Sequence, residues 1–470
     1  MNTPPAILQR LADSVAISSR LKRAGAAAIP FAAIMYLALK GGGYDTVVWG
    51  EIGIAAWWLL GLGVAVGALP VARLRARAWT AIALLAALAI WTGLSIGWSD
   101  SAERSATDLA RTVTYLSVFC VALAAVAADM RKQVLAGVGA AIAAVVVLAV
   151  LSRIQPDWFS ANETNRFLPE ARERLSYPLN YWNALGAFAA MGLPLLLAFA
   201  ASARTIPARA GAASLASVAG LCAYLTLSRG AVVAVAVALL LYLILVGRRP
   251  LKLLAALPAL AGAGILIAAA NQRPSLIDGV TSSRAGDEML VYLVVVAAGV
   301  AFLHAAISLA LVHGPELSFP TPTRRMTAAL SGGIAALVLV AFLAAGGTGY
   351  VSERYDEFKG SGVGGAAAGT RLQSVSGNGR YQYWRSAIDA GDSKPLTGVG
   401  AGTFEFWWAE NGDLPGFLRD AHSKLFETYA ELGLPGILLF LALVAWLLFA
   451  GGSMALRSLG VERTWAAAAT

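Results

Sequence analysis

Charge is what this sequence has least of. Asp, Glu, Lys and Arg make up only 13% of its 470 residues, against roughly a quarter in soluble globular domains. A chain so poor in polar groups cannot cover its own exterior, and lipid must solvate most of it. Cysteine is nearly absent: Cys120 and Cys222 both sit inside apolar runs, where they read as small buried hydrophobes rather than a disulfide or metal ligands. No His/Cys/Asp/Glu set has metal-ligand spacing, and no G-x-S-x-G elbow occurs. The net charge of +9 forms no basic stripe and accompanies no nucleic-acid motif, so it does not point to nucleic acid. Arg10, Arg20, Lys22 and Arg23 precede the first apolar run. No short apolar core with a small-residue cleavage site follows, so the first span is expected to be retained.

In place of polar surface there is apolar length: 58% of residues are hydrophobic and the mean hydropathy is +0.68. Runs near the ~20 residues needed to cross a bilayer lie at about 24–39, 51–70, 78–98, 109–128, 133–152, 182–202, 208–227, 230–247, 251–270, 289–312, 327–345 and 432–451. The expected fold is therefore all-α: a polytopic membrane protein of about twelve spans with one large extramembrane loop, 346–431. The two runs flanking Arg229 are together too long for one crossing and are taken as two spans. With the N-terminus inside, inner segments hold 18 Lys+Arg and the short outer loops only six, as the positive-inside rule requires. Residues 1–345 are read as the membrane bundle, 346–431 as an extracytoplasmic loop carrying site residues, and 432–470 as the last span and an inner tail. That tail, from Trp465 to Thr470, reads like the first turn of a further span. The large loop opens with a flexible Gly/Ala stretch, 360–369, then turns aromatic and charged, and its length argues for helices and a site within it.

Four outer segments interrupt the Ala/Leu/Val background: RLSYPLNYWNALG (174–186), TLSRGA (226–231), GNGRYQYWRSAIDAGDSKPLTGVGAGTFEFWW (377–408) and AHSKLFETYAELGLPG (421–436). Arg229, held between two apolar runs, is costly unless it snorkels or is paired. It serves either as an interfacial anchor or as an anion clamp, because guanidinium grips phosphate bidentately. Arg174 and Arg380 join it on the same expected side. Of the three histidines, His304 and His313 belong to a span and its inner end, where packing or a hydrogen bond accounts for them. His422 lies in the outer loop, where a neutral imidazole accepts a proton near neutral pH. GVGAG (398–402) lacks the third glycine of a dinucleotide fingerprint, whose place Thr403 takes, and reads as a tight turn or a backbone nest for phosphate. Asn183, Trp384 and Phe404 are candidate glycan contacts, although an interfacial belt is the default reading of the aromatics.

Taken in order, SRG opening a span (228–230), G-R-x-x-x-W (379–384), P-L-T-G-V-G-A-G-T-F (395–404) and an outer histidine followed by E-x-x-A-E-L-G-L-P-G (427–436) resemble the O-antigen ligase and polymerase superfamily of bacterial membrane glycan transferases. The resemblance runs from about Arg174 to Gly436. It implies a helical, GT-C-like fold that moves a glycan from undecaprenyl diphosphate to an acceptor hydroxyl at the outer face of the cytoplasmic membrane, without metal, nucleotide or other cofactor. By motif, Arg229 and Arg380 correspond to the family's diphosphate-binding arginines, Arg174 to a further one, and His422 to its essential histidine. Ser423 stands where many members carry Asn. The implied partners are the lipid-linked donor, a glycan, lipid or cell-wall acceptor, membrane lipids and other envelope glycan assembly proteins. A transporter or flippase for lipid-linked glycans is the competing class. Such proteins bind and relay ions through ionisable residues at mid-membrane, whereas these spans hold almost none.

Overall fold

The computed structural model describes residues 6–127, 129–159, 168, 171–247, 249–313, 347–360, 372 and 374–470. In chain order the helices are α1 (Ala6–Leu39), α2 (Thr46–Ala65), α3 (Ala76–Ser95), α4 (Ala102–Ala127), α5 (Arg131–Ile154), α6 (Trp182–Ser202), α7 (Ile206–Leu225), α8 (Arg229–Leu245), α9 (Arg249–Asn271), α10 (Ser283–His313), α11 (Gly347–Lys359), α12 (Arg380–Ser393), α13 (Phe404–Asn411), α14 (Lys424–Arg457) and α15 (Gly460–Ala469). No strand occurs among the described residues, and ten of these helices are long and apolar enough to cross a membrane. The protein is an all-α polytopic membrane protein. The expected span at 327–345 and most of the Gly/Ala stretch fall outside the described residues. Among the described residues of 346–431, α11, α12 and α13 supply the helices that the loop's length called for.

The chain divides into two compact units. One comprises Met1–Ile90, Thr107–Leu309 and Leu439–Thr470; the other comprises Trp91–Ala106 and Ala310–Leu438. The first is a helical bundle closed by small residues. A Cβ on Gly186 would lie 2.4 Å from the Ala231 Cβ, and one on Gly192 would lie 2.4 Å from Ile142 Cγ2. Without side chains there, α6 comes close to α8 and α5, and packing takes the place of the hydrophobic drive that lipid does not supply. Ser214 and Ser217 donate across helices to the carbonyls of Ala297 and Ala259 at 2.7 and 2.9 Å. The buried His304 donates from Nε2 to the Ala200 carbonyl at 3.0 Å, a packing role as its place in a span suggested. Cys120 and Cys222 are free thiols, Cys222 fully buried.

The runs on either side of Arg229 are separate helices. Leu227 takes a left-handed φ of +48°, a region that a branched side chain enters only under constraint, and the chain turns there before Ser228 caps α8. At 17 residues, α8 is shorter than a full crossing requires.

The second unit is built on its own core of Ala387, Ala390, Val399, Phe404, Trp408, Ala421 and Ala430. Within it α14 kinks at Gly433 (φ +63°, ψ −164°). The kink frees the Leu432 carbonyl to accept from Trp91 Nε1 at 2.9 Å and the Leu434 N–H to donate to Pro395 O at 2.8 Å.

Candidate active site

In the first unit, the loop ending at α6 is stitched to the α7–α8 turn. Arg174 donates from Nε to the Thr226 carbonyl at 3.3 Å, and from an NH2 group to Leu227 O and Asn183 Oδ1, both at 3.4 Å. Its guanidinium lies 4.3 Å from the Trp182 ring centroid. A cation on the last carbonyls of α7 meets the negative end of the helix dipole. Asn183 Oδ1 also accepts from Ser228 Oγ at 2.7 Å, and its amide donates to Tyr181 OH at 2.9 Å. Ser228 Oγ in turn accepts the Ala231 N–H at 3.2 Å and so caps α8. Arg229, half-buried, is the first residue of that helix. Arg174, Asn183 and Ser228 therefore form a chain of contacts that ends one residue before Arg229. Both ends of the Asn183 amide are engaged inside the protein.

Beneath this turn, an apolar crevice of about 240 Å³ runs among α6, α7, α8 and α9, lined in part by Leu193, Tyr224, Val232, Val235, Leu239 and Leu260. The loop before Arg174 is held by Arg153, a buried arginine at the end of α5, which donates to the carbonyls of Glu173 and Leu276 at 3.1 and 3.2 Å.

In the second unit, Arg380 opens α12, and Gly379 before it adopts φ +79°. The same helix carries Tyr383, whose ring packs 5.9 Å from His422 and 5.1 Å from Trp408. His422 sits in a left-handed turn at φ +55°, just before α14. Its ring is open to solvent on one side, yet the protein on the other side desolvates it. Burial foremost, and then the Arg380 charge, push its pKa below the usual 6.5, while Asp420 and Glu427 pull the other way. That shift favours the uncharged imidazole at neutral pH, the form able to accept a proton.

The remaining candidates divide. Trp384 is half-buried, with Phe358 and Phe426 each 5.5 Å from it. Phe404, expected as a glycan contact, is instead wholly buried at the centre of the core. Its ring has no free face for a sugar, because the helix that begins at Phe404 turns it inward. The GVGAG segment is a turn rather than a nest. Its N–H groups at Val399, Gly400 and Ala401 already donate to Ala430 O, Glu431 O and Ser95 Oγ at 2.9, 2.9 and 3.2 Å. No group of three or more His, Cys, Asp and Glu is placed to hold a metal ion among the described residues.

The structure adds residues that sequence reading passed over. Glu405 is buried, with Arg104 Nε at 2.8 Å and Arg419 Nε at 3.7 Å. A carboxylate inside the apolar run FEFWW was the signal, since a buried charge demands partners. Tyr383 beside His422 left no mark in the sequence beyond its place in an aromatic cluster.

Structure thus gathers the candidates into two sets: Arg174, Asn183 and Arg229 in the first unit, and Arg380, Trp384 and His422 in the second. The family model described as O-antigen ligase matches residues 281–441, a stretch that contains the whole second set. No curated protein and no solved structure gives a match. The match covers the G-R-x-x-x-W, P-L-T-G-V-G-A-G-T-F and histidine motifs, and it supports the likeness of residues 281–441 to the O-antigen ligase/polymerase superfamily.

Proposed function

We propose that the protein transfers a glycan from undecaprenyl diphosphate to an acceptor hydroxyl at the outer face of the bacterial cytoplasmic membrane, with the 346–431 segment on that outer side. The observation that carries this reading is His422, set in a left-handed turn against the Tyr383 ring within the O-antigen ligase segment, with its pKa pushed down by burial and by the Arg380 charge. A sugar hydroxyl is a poor nucleophile, and a positioned base removes its proton as it attacks. His422 takes that proton. The acceptor oxygen bonds to the anomeric carbon, the bond from that carbon to the phosphate oxygen breaks, and undecaprenyl diphosphate leaves with the electron pair. Attack opposite the leaving group inverts the anomeric configuration.

Arg380 holds the departing diphosphate, and Arg229 is assigned the same task by its sequence motif. Guanidinium suits both oxygens of a phosphate at once, and the leaving charge is stabilised without a metal in this scheme. Trp384 offers an aromatic surface to sugar. Arg174 and Asn183 act in support, fixing the turn that begins α8. The apolar crevice beside α8 suits the prenyl chain of the donor: Val232 to Leu239 spans about 10 Å at 1.5 Å per residue. Transport is the weaker reading, since nothing among the spans favours an ion relay.

Purified protein, a lipid-diphosphate glycan and candidate acceptors, with product mass and anomeric configuration as readouts, test the proposal. Product of inverted configuration, formed in the presence of a chelator and lost in His422→Ala, is expected. Retained configuration, or normal transfer by His422→Ala and Arg380→Ala, overturns it. Cysteine placed at the exposed Phe417 in a cysteine-free background should react with an impermeant label on intact cells. Labelling only after permeabilisation overturns the assigned side.

A further inference from the structure

The first turns of α14 carry two carboxylates, Glu427 and Glu431, four residues apart and so on one helix face. Both are buried, and a buried charge is retained at great cost unless it is gripped. Each is gripped by a backbone N–H from a different loop. Glu431 Oε1 accepts from Phe404 at 3.3 Å, and Glu427 Oε2 accepts from Ala421 at 3.2 Å. The other Glu427 oxygen takes the Lys424 ammonium at 2.9 Å. The reaction scheme uses neither carboxylate.

His422 lies between Ala421 and Ser423. The Ala421 N–H ends on the Glu427 carboxylate, and the Glu427 N–H donates to Ser423 O at 2.9 Å. The Glu427 carboxylate therefore holds the chain just before His422, while the helical backbone of α14 holds it just after. That matters because His422 has a left-handed backbone, which a non-glycine residue keeps only where its surroundings fix it. We propose that Glu427 is a positioning residue for transfer: by tying the Ala421 N–H to the start of α14, its carboxylate sets the turn that aims the His422 imidazole.

This inference rests on the reading of His422 as the base. The groups acting on that ring are Arg380 and Tyr383 from α12, Asp420 beside it, and Glu427 from α14 with Lys424 paired to it. Glu427 thus contributes geometry and negative charge, and two substitutions separate them. Glu427→Gln keeps an oxygen for the Ala421 N–H but removes the charge; Glu427→Ala removes both.

The test uses full-length protein in lipid nanodiscs with the lipid-diphosphate glycan and an acceptor, alongside His422→Gln. In Glu427→Ala, kcat should fall roughly tenfold to a hundredfold, as for a misplaced catalytic group, with the donor KM unchanged. In Glu427→Gln, most of kcat should survive at alkaline pH, and the acid limb should move to lower pH. The His422 resonance of [13C]histidine-labelled protein, assigned by its loss in His422→Gln, should titrate lower by the same amount. Wild-type kcat in Glu427→Ala overturns the inference even when His422→Gln is inactive. Should Glu427→Ala fail to fold, Glu427→Asp, whose shorter side chain draws the carboxylate away from the Ala421 N–H, takes its place, and wild-type kcat there overturns the inference. Wild-type turnover by His422→Gln would remove the base reading itself, and this inference with it.

Discussion

Arg174 separates two roles that an arginine in a loop between spans can play. If it were a diphosphate ligand, its loss would weaken donor binding and leave the free protein intact. The structure instead commits it to Thr226 O, Leu227 O and Asn183 Oδ1, at 3.3, 3.4 and 3.4 Å, and to the Trp182 ring at 4.3 Å. Those hydrogen bonds are longer than the usual 2.9–3.0 Å, so each is worth the low end of the net range, about 0.5 kcal/mol. The cation–π contact, partly desolvated, adds about 1 kcal/mol. Arg174→Ala should therefore cost about 2–3 kcal/mol of stability. Arg174→Lys keeps a positive charge on the α7 carboxyl end, worth about 0.3–1 kcal/mol, and should lose less. Thermal unfolding in detergent, followed with a thiol-reactive dye, reads this directly, because Cys222 is fully buried in α7 and reacts only when the bundle opens. The expected order of stability is wild type, Lys, Ala. A melting temperature for Arg174→Ala equal to wild type, together with lost donor affinity, would refute the capping argument and return Arg174 to the ligand.

Further outcomes rest on the second unit. The folded His422 ring holds its proton less tightly than a free imidazole, so transfer should be level through neutral pH and fall only below about 6.5, histidine's usual value. Arg380→Gln removes a positive neighbour and should move that acid limb upward, whereas Asp420→Asn should move it downward; the opposite signs would sink the electrostatic account. Phe404→Ala should cost about 3–5 kcal/mol, as for other buried aromatics, and show as loss of folded protein. Trp384→Ala, half-exposed, should fold and instead raise the acceptor KM. Gly433→Ala would force a Cβ to within 2.7 Å of Pro395 O at a φ of +63°. It should lower thermal stability by about 1–3 kcal/mol from backbone strain alone, and an unchanged melting temperature would count against the kink.

The sequence by itself determined the class of protein. Scarce charge and runs of about twenty apolar residues force backbone polar groups into helices that satisfy themselves. Eleven of those runs reappear as α1 to α10 and α14, the one at 327–345 lying outside the described residues, with the break at Arg229 where the sequence put it. The G-R-x-x-x-W motif and the histidine at 422 were equally legible, since motifs are local and a family match over 281–441 reads the same letters. What each candidate touches was not legible, because burial and hydrogen bonding join residues far apart in the chain. Arg174 became a cap because Thr226 and Leu227, some fifty positions on, present their carbonyls to it. Phe404 became core because Trp408, Ala421 and Ala430 close over it. The glycines of GVGAG offered a phosphate nest until their neighbouring N–H groups proved to be spent on Ala430, Glu431 and Ser95. His422 stood out in the sequence only as an outer histidine. Tertiary structure made it a candidate base by desolvating one side of the ring, setting Arg380 within electrostatic reach, and fixing its left-handed turn against the start of α14.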